Sequence, residues 1–521
     1  MTAASSSNPQ PRLRRLASKR RLFCESSDEF TALSQIIHEV VLSVLGCLSS
    51  CKKRGNPDWD LSSVSTGAGE PEDVVRLRIL SVILLFCLCP IARARTGATL
   101  LVGEPYGHDG KWAGTGHAAV YLSGVCANSP VLLRPCAPDE TGIVLSRYRG
   151  IGGYDWIAIP LLPYLYSVER PEDIPLLADK KLVAFLRDRY RRDHLESMVP
   201  DLPGGGTPDG DWYELIGASY LRTIYTFEIE TSPEQDAKLI ATLNDRSNRQ
   251  RWNLVTANCA DFARQVISIY YPHSVHRSII GDLGVTTPKQ LARTFSKYTR
   301  RHPELQLSKF VIPQVPGSIP RSKRIKGVFE VMLTAKKYML PIFVFHPYAA
   351  GTAVAVYVEH WHFNPGKNAL ILDSQRQLSA PLTSTDRRVF QDQMEDLLRA
   401  SSSPDTDADE LQWTSLNAAA EPALDTAGGL TLQLTEGGEV TSVGIARSNI
   451  LNVPAGSEFA AGLLKARLRE ELKTAAGRKT ARADVEGDLL LLQQLLALQP
   501  SRLASTTNSD RGVPQSAAAE P

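Results

Sequence analysis

Neither sign of charge prevails in this chain: 58 Lys and Arg stand against 56 Asp and Glu, for a net charge of +2. Bulk charge therefore supports neither a nucleic-acid surface nor an acidic partner. No segment recurs at a fixed period, which argues against a solenoid or propeller. No nucleotide-binding or metal-ligand spacing stands out, and no cofactor is expected. His360 and His362 come nearest to a metal pair, but they lack further spaced ligands. Cysteine is sparse too, and its placement is informative.

Of eight cysteines, Cys24, Cys47 and Cys51 fall in an N-terminal stretch, and Cys87 and Cys89 in an apolar run. That run, Ile79 to Cys89, follows Arg76 and Arg78 and precedes Ala92-Arg93-Ala94. A charged n-region, a short h-region and an Ala-x-Ala site make the pattern of a secretory signal, with cleavage expected after Ala94. The run is shorter than the roughly 20 residues a membrane span needs. Residues 74–94 thus read as a signal peptide or signal anchor, and residues 1–73 as an unstructured or mis-assigned extension. Either translation begins near Val74 or Val75, or the basic stretch Arg12 to Arg21 belongs to a cytoplasmic tail. The expected location is exported, periplasmic or membrane-associated. Cys126, Cys136 and Cys259 would then reach an oxidising compartment. Cys126 and Cys136 flank a strand and could pair, leaving Cys259 as the odd thiol.

Cys259 lies in Asn258-Cys259-Ala260-Asp261-Phe262. Asn258 caps a helix, Asp261 completes a variant capping box, and Phe262, Val266 and Ile269 continue an apolar stripe at helical spacing. A thiol in the first helical turn faces unpaired amides and the positive end of the dipole, which favours thiolate. A small buried cysteine starting a helix is the plainer reading of the same residues.

Residues 95–301 read as one α+β domain. Strands are expected at Ala118–Leu122, Val131–Leu133, Ile143–Leu145, Trp156–Leu162 and Ile224–Ile229. A helix is expected from Ser232-Pro233-Glu234-Gln235 to about Asn244. His117 enters the first of these strands after Gly114 and Gly116, which leave room for close backbone approach. A cysteine nucleophile needs an imidazole to take and return its proton, and the two may be distant in sequence.

Gly116-His117-Ala118-Ala119-Val120-Tyr121-Leu122, followed much later by Asn258-Cys259-Ala260-Asp261-Phe262 at a helix start, resembles a circularly permuted papain-like fold. That group includes relatives of the NlpC-type peptidases and lecithin retinol acyltransferase-like proteins. The resemblance covers roughly residues 100–300. It implies a small antiparallel sheet packed on helices, with Cys259 as nucleophile and His117 as general base and acid. The backbone N–H of Cys259 would meet the oxyanion. The family's orienting third residue comes from the strand after the histidine, but Val131-Leu132-Leu133-Arg134 holds no His, Gln or Asn. Asn128, just ahead of it, is the candidate.

Downstream, residues 302–337 read as a basic linker. Residues 338–358 contain no Asp, Glu, Lys or Arg and are long enough to span a bilayer, although Pro341 and Pro347 favour a broken helix or a buried segment. Residues 370–500 read as a separate small α+β unit with a hairpin about Glu436-Gly437-Gly438, and residues 501–521 as a disordered tail. The leading expectation is an exported cysteine hydrolase or acyltransferase acting on peptide amide or lipid acyl-ester bonds at the cell envelope, with membrane association through 338–358. The alternative is a non-catalytic, membrane-associated binding domain on the same scaffold.

Overall fold

Residues 96–103, buried along almost their whole length, form a strand in the middle of the sheet. In the computed structural model the described residues are 96–106, 114–278, 282–334, 363–372, 378–379, 420–426, 429–436 and 439–444, with isolated positions between 348 and 492. The expectations for 1–73, the signal 74–94, the 501–521 tail, His360, His362 and most of 338–358 fall outside them. Among the described residues, no helix is long and apolar enough to cross a membrane.

Strands β1 (Thr96–Gly103) and β2 (His117–Leu122) are followed by a separate hairpin, β3 (Val125–Ser129) with β4 (Leu132–Pro135). Next come β5 (Ile143–Ser146), β6 (Ile157–Pro160), α1 (Leu161–Tyr166) and α2 (Lys180–Tyr190). The chain continues through β7 (Ile224–Thr231), α3 (Pro233–Asn244), α4 (Cys259–Tyr270), α5 (Pro288–Thr299), β8 (Ser308–Ile312) and α6 (Val328–Thr334). It ends with β9 (Leu370–Leu372), β10 (Leu378–Ser379), β11 (Glu421–Leu424), β12 (Leu430–Glu436) and β13 (Glu439–Gly444).

The main sheet has eight strands in the order β10-β9-β8-β7-β1-β2-β5-β6. All neighbours are antiparallel except the parallel pair β8–β9. Both faces of its centre are covered, which is why β1 reads as an unbroken apolar run rather than an alternating one. Leu100, Val102, Ala118, Val120 and Leu145 face the helices α3, α4 and α5. Leu101, Ala119 and Val144 face the opposite layer, which includes Tyr164, Leu165, Trp212 and Ile216.

Several expectations change here. The sheet is larger than expected because β8 arises inside the stretch read as a basic linker, and β9 and β10 add to its edge. Nor do residues 370–500 stand apart: 92–521 is one compact unit. Ala420, Leu430 and Leu432 bury against Leu182 and Val183 of α2, while Lys181 pairs with Glu421 at 2.5 Å. The stretch Trp156–Leu162 is a strand only to Pro160, where α1 begins. The hairpin about Glu436-Gly437-Gly438 does form, joining β12 to β13. Cys126 and Cys136 form a disulfide across β3–β4.

Candidate active site

Four strand ends and one helix start converge at one end of the sheet. β1 finishes at Gly103, opposite His117 of β2 and Ile224 of β7. β2 pairs with β5 through Val120↔Leu145 and Tyr121↔Val144. Continued outward, that antiparallel register sets His117 opposite Tyr148, and the two rings do stack, with centroids 4.4 Å apart and planes 12° from parallel. Gly116 makes this approach possible. It has φ +78°, and a Cβ there would lie 2.2 Å from the carbonyl oxygen of Gly103.

Cys259 is the first residue of α4. The Asn258 side chain accepts from the Asp261 amide at 2.9 Å, and the Asp261 carboxylate accepts from the Asn258 amide at 3.4 Å, completing the capping box. Asn258 also donates to the carbonyls of Leu254 and Thr286. Fully buried Asp261 takes bonds from Arg277 and Thr286. The helix start is thus tied to two other segments. The amides of Asp261 and Phe262 bond to Asn258, whereas those of Ala260 and Ala118 act on the sulfur.

That last contact brings the thiol to the residue directly after His117. Among the described residues, however, no hydrogen bond joins thiol to imidazole, and the buried Nε2 of His117 has no partner. Although Cys259 as a residue is only half-buried, its sulfur is deep enough that burial lifts its pKa. The amides of Ala118 and Ala260 pull it down, Glu214 raises it and Arg222 lowers it, and burial prevails. The expectation of a resting thiolate is therefore overturned, because desolvation outweighs the helix end. Burial, then Arg222, hold His117 well below the usual imidazole value. Both shifts favour the neutral form, thiol at Cys259 and imidazole at His117.

Asn128 is not part of this arrangement. It lies exposed on the outlying β3–β4 hairpin, where its Oδ1 accepts from Arg134 Nε at 2.9 Å. β3 departs from the end of β2 opposite His117, so chain connectivity carries Asn128 away. Residues that the sequence reading passed over stand in its place. Tyr148 donates to the Glu214 carbonyl at 2.8 Å. Burial pushes Tyr164 up to about 12, with Arg222 lowering it and the Cys259 charge adding to the rise. Arg222 pairs with Glu214 at 3.0 Å and lies over the Tyr106 ring at 4.4 Å. Glu214 ends a short 3-10 helix, Asp211–Glu214, and Arg222 lies just before β7. No motif in the sequence marks either residue.

The Cys259 helix start and the beginning of the His117 strand thus meet at one end of the sheet. Cys126, Cys136 and Glu140 lie close enough together to suggest a metal cluster, but the disulfide engages both sulfurs. No family model, curated protein or solved structure matches the chain.

Proposed function

We propose that the chain is an exported cysteine hydrolase or acyltransferase on a permuted papain-like scaffold, acting on amide or acyl-ester bonds at the cell envelope. The observation that carries this reading is the convergence of the Cys259 helix start with the beginning of the His117 strand. The disulfide supports export, since such bonds persist in oxidising compartments. It also leaves Cys259 as the free thiol among the described residues.

In the proposed reaction, His117 takes the thiol proton of Cys259 as the sulfur attacks the substrate carbonyl. The amide of Cys259 receives the oxyanion. Collapse breaks the amide or ester bond, the leaving amine or alcohol takes the proton back from His117, and the acyl group stays on sulfur as a thioester. Water or an acceptor hydroxyl or amine then attacks the thioester, losing its proton to His117, and the thiol is restored. Because both groups rest neutral, proton transfer accompanies attack instead of preceding it.

The test is trapping. The mature protein is incubated with envelope peptides or short-chain acyl esters, quenched in acid and weighed intact by mass spectrometry. An adduct on Cys259 that accumulates in wild type, vanishes in Cys259→Ala and forms far more slowly in His117→Ala supports the reading. Equal adduct in His117→Ala overturns the dyad. The unpartnered His117 Nε2 favours a second reading, a non-catalytic binding domain in which Cys259 only packs. It predicts no adduct with any acyl donor.

A further inference from the structure

At this end of the sheet, buried His117 Nε2, Tyr106 Oη and Arg222 Nε lack a hydrogen-bond partner among the described residues, as do Ser146 Oγ and Thr223 Oγ1. Such atoms are rare inside proteins, and each asks for an explanation. Tyr106 and Arg222 are in contact, since the Arg222 guanidinium lies over the Tyr106 ring. Gly103 at the end of β1 leaves the space that Arg222 occupies; a Cβ there would come within 2.6 Å of Arg222 Cδ.

Several charged side chains are buried at this end of the sheet. Arg222 is buried and bonds to one oxygen of Glu214. Buried Arg187, which shares the field of Tyr106 and Glu214, bonds to the carbonyls of Ile216 and Gly217. The fully buried Glu104 carboxylate, just past the end of β1, accepts from Tyr225 and Ser322. Arg222 Nε has no partner, and an anion bound beside Arg222 would satisfy that donor. Arg187 also lines a cavity of about 270 Å³ with Trp212 and Leu221.

We propose that Arg222 and Tyr106 form a subsite for an anionic group, a carboxylate or phosphate, carried by the acyl donor close to its scissile carbonyl. The inference rests on the thiol-enzyme reading and narrows its substrates to anionic acyl donors. Tyr106 Oη and Arg222 Nε donate to the anion.

Two alkylating reagents of nearly equal shape separate the possibilities. The rates of Cys259 alkylation by iodoacetate and by iodoacetamide are measured on the mature protein, each relative to a free small thiol. The expected result is a saturable preference for iodoacetate of about tenfold over the free-thiol ratio, the worth of one charge-assisted hydrogen bond. Arg222→Met should abolish the preference and Tyr106→Phe reduce it, with folding checked by circular dichroism. If Arg222→Met does not fold, Tyr106→Phe decides, because it removes a single hydroxyl that has no partner to lose.

An iodoacetate ratio equal to that of the free thiol, with iodoacetamide still reacting at Cys259, overturns the subsite and leaves the enzyme reading standing. Failure of both reagents to reach Cys259 overturns both readings. Protection from iodoacetamide by inorganic phosphate but not acetate assigns a phosphate group, and the reverse assigns a carboxylate. Protection by neither overturns the proposal.

Discussion

Asn258 is the residue whose replacement distinguishes most sharply between a generic helix cap and the tied helix start described above. Its Oδ1 accepts from the Asp261 amide at 2.9 Å, and its Nδ2 donates to the carbonyls of Leu254 and Thr286 at 3.0 Å each. Loss of an N-cap bond costs about 1 kcal/mol, and loss of each donated bond costs roughly another 1 kcal/mol. Asn258→Ala should therefore destabilise by about 3 kcal/mol. Asn258→Ser keeps the cap and loses both donors, for about 2 kcal/mol. Asn258→Asp keeps the acceptor but sets a second carboxylate beside Asp261, which is fully buried, so it should be the worst of the three. The expected order of damage is Ser, Ala, Asp. Guanidinium denaturation of the mature protein measures it, and iodoacetamide labelling of Cys259 reports whether the helix start has shifted. Capping preference alone ranks Asp with Asn. A well-tolerated Asn258→Asp would therefore refute the claim that the amide donors and the Asp261 charge govern this turn.

Other expectations follow from the same geometry. Gly116→Ala forces a side chain to φ +78° with its Cβ 2.2 Å from the Gly103 carbonyl; calorimetry should show a loss of about 2 kcal/mol or more, together with slower thioester formation as His117 moves. The raised Cys259 pKa means that the folded thiol stays protonated where an exposed one ionises. Its alkylation rate should thus keep rising above the ordinary thiol value of about 8.5, and a plateau below that pH would contradict burial as the cause. His117 is depressed in the folded state, so below about pH 6.5 the unfolded chain binds a proton that the folded site refuses. Its contribution to stability is therefore present above that pH and lost as pH falls, and His117→Gln should shrink the difference in denaturation midpoint between pH 7 and pH 5. Reducing the Cys126–Cys136 bond, whose cysteines are 10 residues apart, should cost about 3 kcal/mol by the loop-entropy relation. Because that hairpin lies away from His117, acyl transfer should survive reduction.

Local chemistry made part of this legible in advance. Two capping boxes, at Ser232 and Asn258, mark helix starts because each needs only four consecutive residues. The strands at 117–122, 143–146 and 224–231 showed as short apolar segments bounded by turn residues. β1 was harder to read, since a strand buried on both faces has no alternation. β8 and β9 are short and pair between residues distant in sequence, as in Phe310↔Leu370 and Val311↔Ile371, which no local pattern reports. The site divides in the same way. Cys259 and His117 have positions that carry their own signal, a helix start and a glycine-led strand entry. Tyr148 becomes visible only through the β2–β5 register, and Arg222 and Glu214 only once the sheet end is assembled. Asn128 was chosen by adjacency along the chain, whereas adjacency in the sheet selects Tyr148.

The parallel pairing of β8 with β9 has a consequence for membrane topology. Residues 338–358, the uncharged stretch, lie in the connection between these two strands, which are hydrogen-bonded neighbours in one sheet. Whatever enters that connection must come back to the side it left. A single crossing would strand β8 and β9 on opposite sides of the bilayer, with each edge losing its ladder, so the number of crossings between Ile312 and Leu370 must be even. One stretch of 21 residues cannot supply two spans of roughly 20 residues each. Cysteines introduced at Ser308 and at Asn368 should accordingly be labelled from the same side by a membrane-impermeant maleimide.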